Sequence, residues 1–202
     1  MSGSADEFSS AKRYDETGPL IPEWAAKAYL IVSIFAALAY LVLSQMMGAG
    51  VQLALVKVTG IVLLAGYAFF SKSPLLGLAL LLSAGGDFSL DLSPPQLEAG
   101  IGFFGAAHLV YLAIFAGFIM KDGWRKDGLV LALALIAYGV AMFVWLNPGM
   151  GALLVPASAY LGIILLMVIA AALVKGPRLI LLGALLFLIS DSMIAARLFR
   201  ET

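Results

Sequence analysis

The chain has 202 residues, 63% of them hydrophobic and 12% charged, with a mean hydropathy of +1.05. Soluble domains carry about 25% charged residues, so a water-soluble globule is excluded. Twelve Lys+Arg balance twelve Asp+Glu, which leaves no electrostatic footprint for nucleic acid. Zero Cys and a single His exclude disulfides, iron–sulfur clusters, thiol nucleophiles and multi-His zinc sites, so neither metal nor cofactor is expected. Any chemistry must rest on carboxylates, hydroxyls, one imidazole and a few amines.

Residues 1–23 form a polar tail, acidic as often as basic, without the basic and apolar regions of a secretory signal peptide. It is expected to be disordered, with Trp24 as an interfacial anchor at its end. Residues 24–202 read as a single transmembrane helical domain. Seven continuous apolar runs, at 24–47, 51–70, 74–91, 97–120, 128–146, 150–174 and 177–199, approach the roughly 20 residues that a bilayer-spanning helix needs. They are too long and too continuous for barrel strands. Helix breakers sit between them: Gly48 to Gly50, Lys72 to Pro74, Ser93-Pro94-Pro95, Asn147-Pro148-Gly149 and Gly176-Pro177. The fold class is therefore all-α, a polytopic membrane bundle of about seven helices.

Basic residues sort by loop. Lys12, Arg13 and Lys27 lie at the first span, Lys72 follows the second, Lys121, Arg125 and Lys126 follow the fourth, and Lys175 and Arg178 flank the loop after the sixth. The intervening loops have none, so the positive-inside rule places the N-terminus in the cytoplasm. Seven spans then leave Arg197 and Arg200 outside, against the rule. A bacterial cytoplasmic membrane is the expected location.

Ionisable groups inside spans cost several kcal/mol, about 3 at the helix centre, and mark function by default. Lys57, Asp87, His108 and Asp191 qualify, supported by Tyr111, Tyr160 and Ser190. At 1.5 Å of rise per residue, Asp87 and Asp191 both lie ~20 Å from the cytoplasmic face, counted from Pro74 and Pro177. From the opposite face Lys57 comes ~9 Å down, His108 ~16 Å and Tyr160 ~15 Å. The groups converge on one level of the bundle, as for a polar pocket opening outward. Each has a plainer alternative. Lys57 can snorkel to the interface, His108 can satisfy a backbone carbonyl, and Asp87, after Gly85-Gly86, can cap the outer end of its helix. Asp91 and Glu98, near the outer loop, are expected to be solvated. Tyr40 and Tyr138 are expected to pack or to join an aromatic belt. ALLLSAGGD (79–87) and GALLFLISD (183–191) form a faint internal echo.

Five blocks in chain order carry a resemblance: LVKVTG around Lys57, LLLSAGGDF (80–88), FFGAAHLVY (103–111), VPASAY (155–160) and LLGALLFLISDS (181–192). With these the chain resembles the YhhN-like lysoplasmalogenases over most of its length. The resemblance implies a multi-pass enzyme that hydrolyses the vinyl-ether bond of lysoplasmalogens to a fatty aldehyde and glycerophosphoethanolamine or glycerophosphocholine. Its partners would be the lysophospholipid substrate and the bilayer itself. Members typically have eight spans, the last with a Tyr and a Gln near its end, whereas this sequence stops at Thr202 after the seventh.

Vinyl ethers hydrolyse by protonation at the carbon β to oxygen, water attack on an oxocarbenium ion and collapse of a hemiacetal. The reaction asks for a proton donor and an anion beside the developing cation. Two carboxyl groups in unlike environments can supply both. Asp87 and Asp191 are the expected acid and stabilising or water-activating pair, with neither role assigned to either. His108 is expected to orient water or shuttle a proton, Tyr111, Tyr160 and Ser190 to contact substrate oxygens, and Lys57 to meet the phosphate. The same residues also suit a proton-coupled carrier of small molecules or lipids, although neither an inverted repeat nor a pair of broken helices is evident.

Overall fold

The structure, a computed structural model, describes residues 21–200. The polar tail expected over 1–23 thus lies outside the described residues up to position 20, as do Lys12 and Arg13. Seven α-helices follow in order: α1 (Glu23–Leu43), α2 (Val51–Phe70), α3 (Pro74–Asp91), α4 (Leu97–Asp122), α5 (Gly128–Met150), α6 (Leu154–Leu173) and α7 (Arg178–Arg200). A short 3-10 turn, Gly151–Leu153, joins α5 to α6. No strand occurs among the described residues, and the all-helical bundle expected from the sequence is what is observed.

Six helical stretches are long and apolar enough to cross a membrane, and one of them, Gly128–Leu173, comprises both α5 and α6. The protein is a multi-pass membrane protein. Large apolar side chains such as Phe35, Val130, Val155 and Leu179 face outward, where hydrocarbon replaces water as the solvent. The break expected at Asn147-Pro148-Gly149 falls later. Pro148 stays helical, and the chain turns only at Gly151, whose φ of +48° favours a residue without Cβ.

α1, α2, α3 and α4 pack in a row, each on the next. α4 then meets α6, and α5, α6 and α7 all pack on one another. α6 is the hub, with Ile164, Met167, Val168 and Ala170 to Ala172 buried. The connections at 71–73, 123–127 and 174–177 share one end of the bundle with most of the basic residues, here the basic end. Two of them are tied together there: the Arg125 amide donates to the Leu173 carbonyl at 2.8 Å, its guanidinium to the Gly176 carbonyl at 2.9 Å, and the Lys175 ammonium to the backbone carbonyl of Asp122 at 3.0 Å. At the other, distal end, α5 and α7 approach so closely that a Cβ on Gly149 would run into the Phe199 carbonyl.

Gly149→Ala is therefore expected to force two backbones apart and to destabilise the bundle by about 1–3 kcal/mol. Gly117→Ala, where the added methyl meets nothing, is expected to be neutral or stabilising by up to about 1 kcal/mol. Thermal unfolding of the two variants in detergent compares them.

Candidate functional site

Polar side chains from six of the seven helices gather into two adjoining groups. In the first, the Lys57 ammonium on α2 lies 2.9 Å from an Asp87 oxygen and 3.2 Å from an Asp91 oxygen, both on α3. The carboxylates are one helical turn apart, which puts them on one face, and the lysine bridges them. Tyr40 of α1 completes the group. Its ring lies 5.2 Å from the Lys57 nitrogen, and its hydroxyl interacts with both Lys57 and Asp91. All three charged side chains are under a quarter exposed.

In the second group, the Tyr160 hydroxyl of α6 donates to Asp191 of α7. His108 of α4 is fully buried against them, edge-on to the Tyr160 ring at 5.5 Å and to Phe187 at 4.7 Å. Its Nδ1 donates to the Phe104 carbonyl at 2.7 Å, which in the neutral imidazole leaves Nε2 as a lone pair with no partner among the described residues. Asp87 links the two groups, being close enough to act electrostatically on both Asp191 and Tyr160.

Asp191 and Tyr160 also line a cavity of about 90 Å³, room for several waters or a short piece of chain. It opens over α6, between the distal ends of α3 and α4 on one side and α5 and α7 on the other. Apart from Asp191, Tyr160 and Ser192 its walls are apolar, including Phe104, Leu146 and Leu188. The Ser192 hydroxyl donates to the Leu188 carbonyl and contacts the Tyr138 hydroxyl of α5, each at 2.6 Å.

The structure thus brings Lys57, Asp87, His108, Tyr160 and Asp191 together but gives them unequal access. Lys57 does not line the cavity, and its ammonium is held by two carboxylates. His108 lies behind the cavity wall and bonds a backbone carbonyl. Tyr111 interacts with the Ser83 hydroxyl on α3 and stacks on Phe115, away from the cavity. Ser190 is exposed and does not line the cavity; its neighbour Ser192 occupies that place because it follows Leu188 by one turn.

Two expectations are corrected. Asp91 is not solvated: it lies four residues after Asp87 and shares its lysine, a spacing visible in the sequence. Tyr40 and Tyr138 are not mere packing residues, since each holds a polar partner inside the bundle. Nothing in their apolar surroundings distinguishes them from belt tyrosines.

Removing Lys57 would leave two desolvated carboxylates facing each other. Lys57→Met is expected to cost about 3 kcal/mol or more, and Asp91→Asn, which leaves one ion pair intact, clearly less. Thermal unfolding in detergent reads the difference, and equal losses would contradict the bridging role.

No curated protein and no solved structure matches the chain. The sequence model of the YhhN family, however, matches residues 52–202, from the second residue of α2 onward, and so covers Lys57, Asp87, Asp91, His108, Tyr160 and Asp191. That match spans most of the chain, and the protein belongs to the YhhN family.

Proposed function

We propose that the protein is a lysoplasmalogenase of a bacterial cytoplasmic membrane, with the basic end of the bundle in the cytoplasm. One observation carries the reading: Asp191, bonded by Tyr160, faces an otherwise apolar cavity, while Asp87 close by is held as an ion pair by Lys57. Two carboxyl groups in such unlike settings suit a reaction that needs a proton donor and a fixed anion.

Asp191, which no salt bridge reaches among the described residues, supplies the proton. The π electrons of the vinyl ether form the new C–H bond at the carbon β to oxygen, and positive charge spreads over the adjoining C–O unit. The anions of Asp87 and of the now deprotonated Asp191 stabilise that cation across a low-dielectric gap. Water adds to the carbon bearing oxygen and returns a proton to Asp191. The hemiacetal then collapses: the bond to the glycerol oxygen breaks, that oxygen takes a proton, and the hydroxyl loses one to become the aldehyde. Net consumption is one water, and the acid is regenerated.

The apolar cavity walls suit the alkenyl chain, which exchanges one hydrocarbon environment for another. Tyr160 steers Asp191, and His108 backs Tyr160 without reaching the cavity.

Purified protein in detergent is expected to release fatty aldehyde from lysoplasmenylethanolamine and none from the saturated ether analogue. Asp191→Asn is expected to lower turnover by about a hundredfold or more, as for loss of a general acid. Folded Asp191→Asn protein with unchanged turnover would overturn the assignment.

A further inference from the structure

The hydrogen-bond inventory beside Asp191 is unusually one-sided. Ser192 spends its only donor on the Leu188 carbonyl, so in the 2.6 Å contact between hydroxyls Tyr138 must donate to Ser192. A serine oxygen can accept twice. One acceptor position therefore remains on a side chain that lines the cavity one residue from Asp191. The hydroxyl proton of Tyr160, the third polar lining residue, is committed to Asp191. The wall beside the proposed acid presents lone pairs without a spare hydroxyl donor, and a ligand that brings a donor of its own is favoured there.

In the substrate class proposed above, the group that fits is the free hydroxyl on the central glycerol carbon, a few bonds from the vinyl carbon that receives the proton. We propose that Ser192, oriented by Tyr138, accepts a hydrogen bond from this hydroxyl and so selects lipids that carry a free hydroxyl beside the ether. An acyl group at the same carbon brings no donor, leaves the serine acceptor unpaired, and must also fit a cavity of about 90 Å³. The substrate identity rests on the proposed function, whereas the acceptor pattern does not.

The test uses binding, which needs no turnover. The probes are a saturated 1-O-alkyl lysophosphoethanolamine and its counterpart lacking the central hydroxyl, measured by ligand-induced thermal stabilisation of the full-length protein in detergent. Wild type is expected to bind the hydroxyl probe about two- to tenfold more tightly, the worth of one hydrogen bond. Ser192→Ala is expected to abolish that preference by weakening the hydroxyl probe alone. The double variant Tyr138→Phe, Ser192→Ala strands no hydroxyl and should behave alike, which guards against a folding defect in the single one. Equal wild-type affinity for the two probes, binding of neither, or a preference that survives both variants would overturn the proposal. Aldehyde release measured in parallel separates it from the reading it builds on. Discrimination in binding without hydrolysis would sink the lysoplasmalogenase assignment and leave the hydroxyl site standing.

Discussion

Lys57 carries a full positive charge into an apolar bundle, and Asp87 and Asp91 make that placement tolerable. Charges withdrawn from water cost several kcal/mol each unless paired in good geometry, so the position of α2 against α3 is dictated by this contact as much as by packing. Tyr40 brings α1 into the same arrangement, on a helix whose only buried side chain is Ser33, bonded to Gly60 of α2. The ion pair favours the charged form of Asp87 beside a second carboxyl group, Asp191, that no cation reaches among the described residues. The chemistry proposed for the site depends on that difference.

The second half of the bundle follows another logic. α6 is packed on three sides, and its one polar contribution at this level, Tyr160, joins an acidic residue on α7 to an imidazole on α4. These three helices would otherwise be held only by apolar contact, which lipid can replace; a hydrogen bond that lipid cannot make gives the packing direction. The cavity beside it is apolar along most of its walls and polar at one place. An amphiphile whose scissile bond sits between chain and head group matches that distribution.

Much of this was legible in the sequence because lipid imposes a strict code. Apolar runs of span length and breakers between them gave helices whose ends differ from the expected ones by only a few residues, Leu43 for 47, Met150 for 146 and Leu154 for 150 being the larger shifts. Asp87 and Asp191 stood out because ionisable residues in a span are costly, and counting helical rise placed them at one level. What escaped was set by partners distant in the chain. The choice of Ser192 over Ser190 depends on the rotation of α7 about its axis, and the roles of Tyr40 and Tyr138 depend on which helix packs beside them. The ion pairing of Lys57 escaped for a related reason: a charge count along the chain does not reveal that two carboxylates lie beside the ammonium.

The central claim is that a carboxyl group in this bundle delivers a proton to carbon. Hydrolysis of lysoplasmenylethanolamine by wild-type protein in D₂O, with the aldehyde trapped at once as a hydrazone and examined by mass spectrometry, tests it directly. The account predicts a single deuterium on the carbon next to the carbonyl, delivered from solvent through Asp191. Aldehyde released without that deuterium would mean that the bond is broken by another route, and the proposed acid chemistry would be wrong.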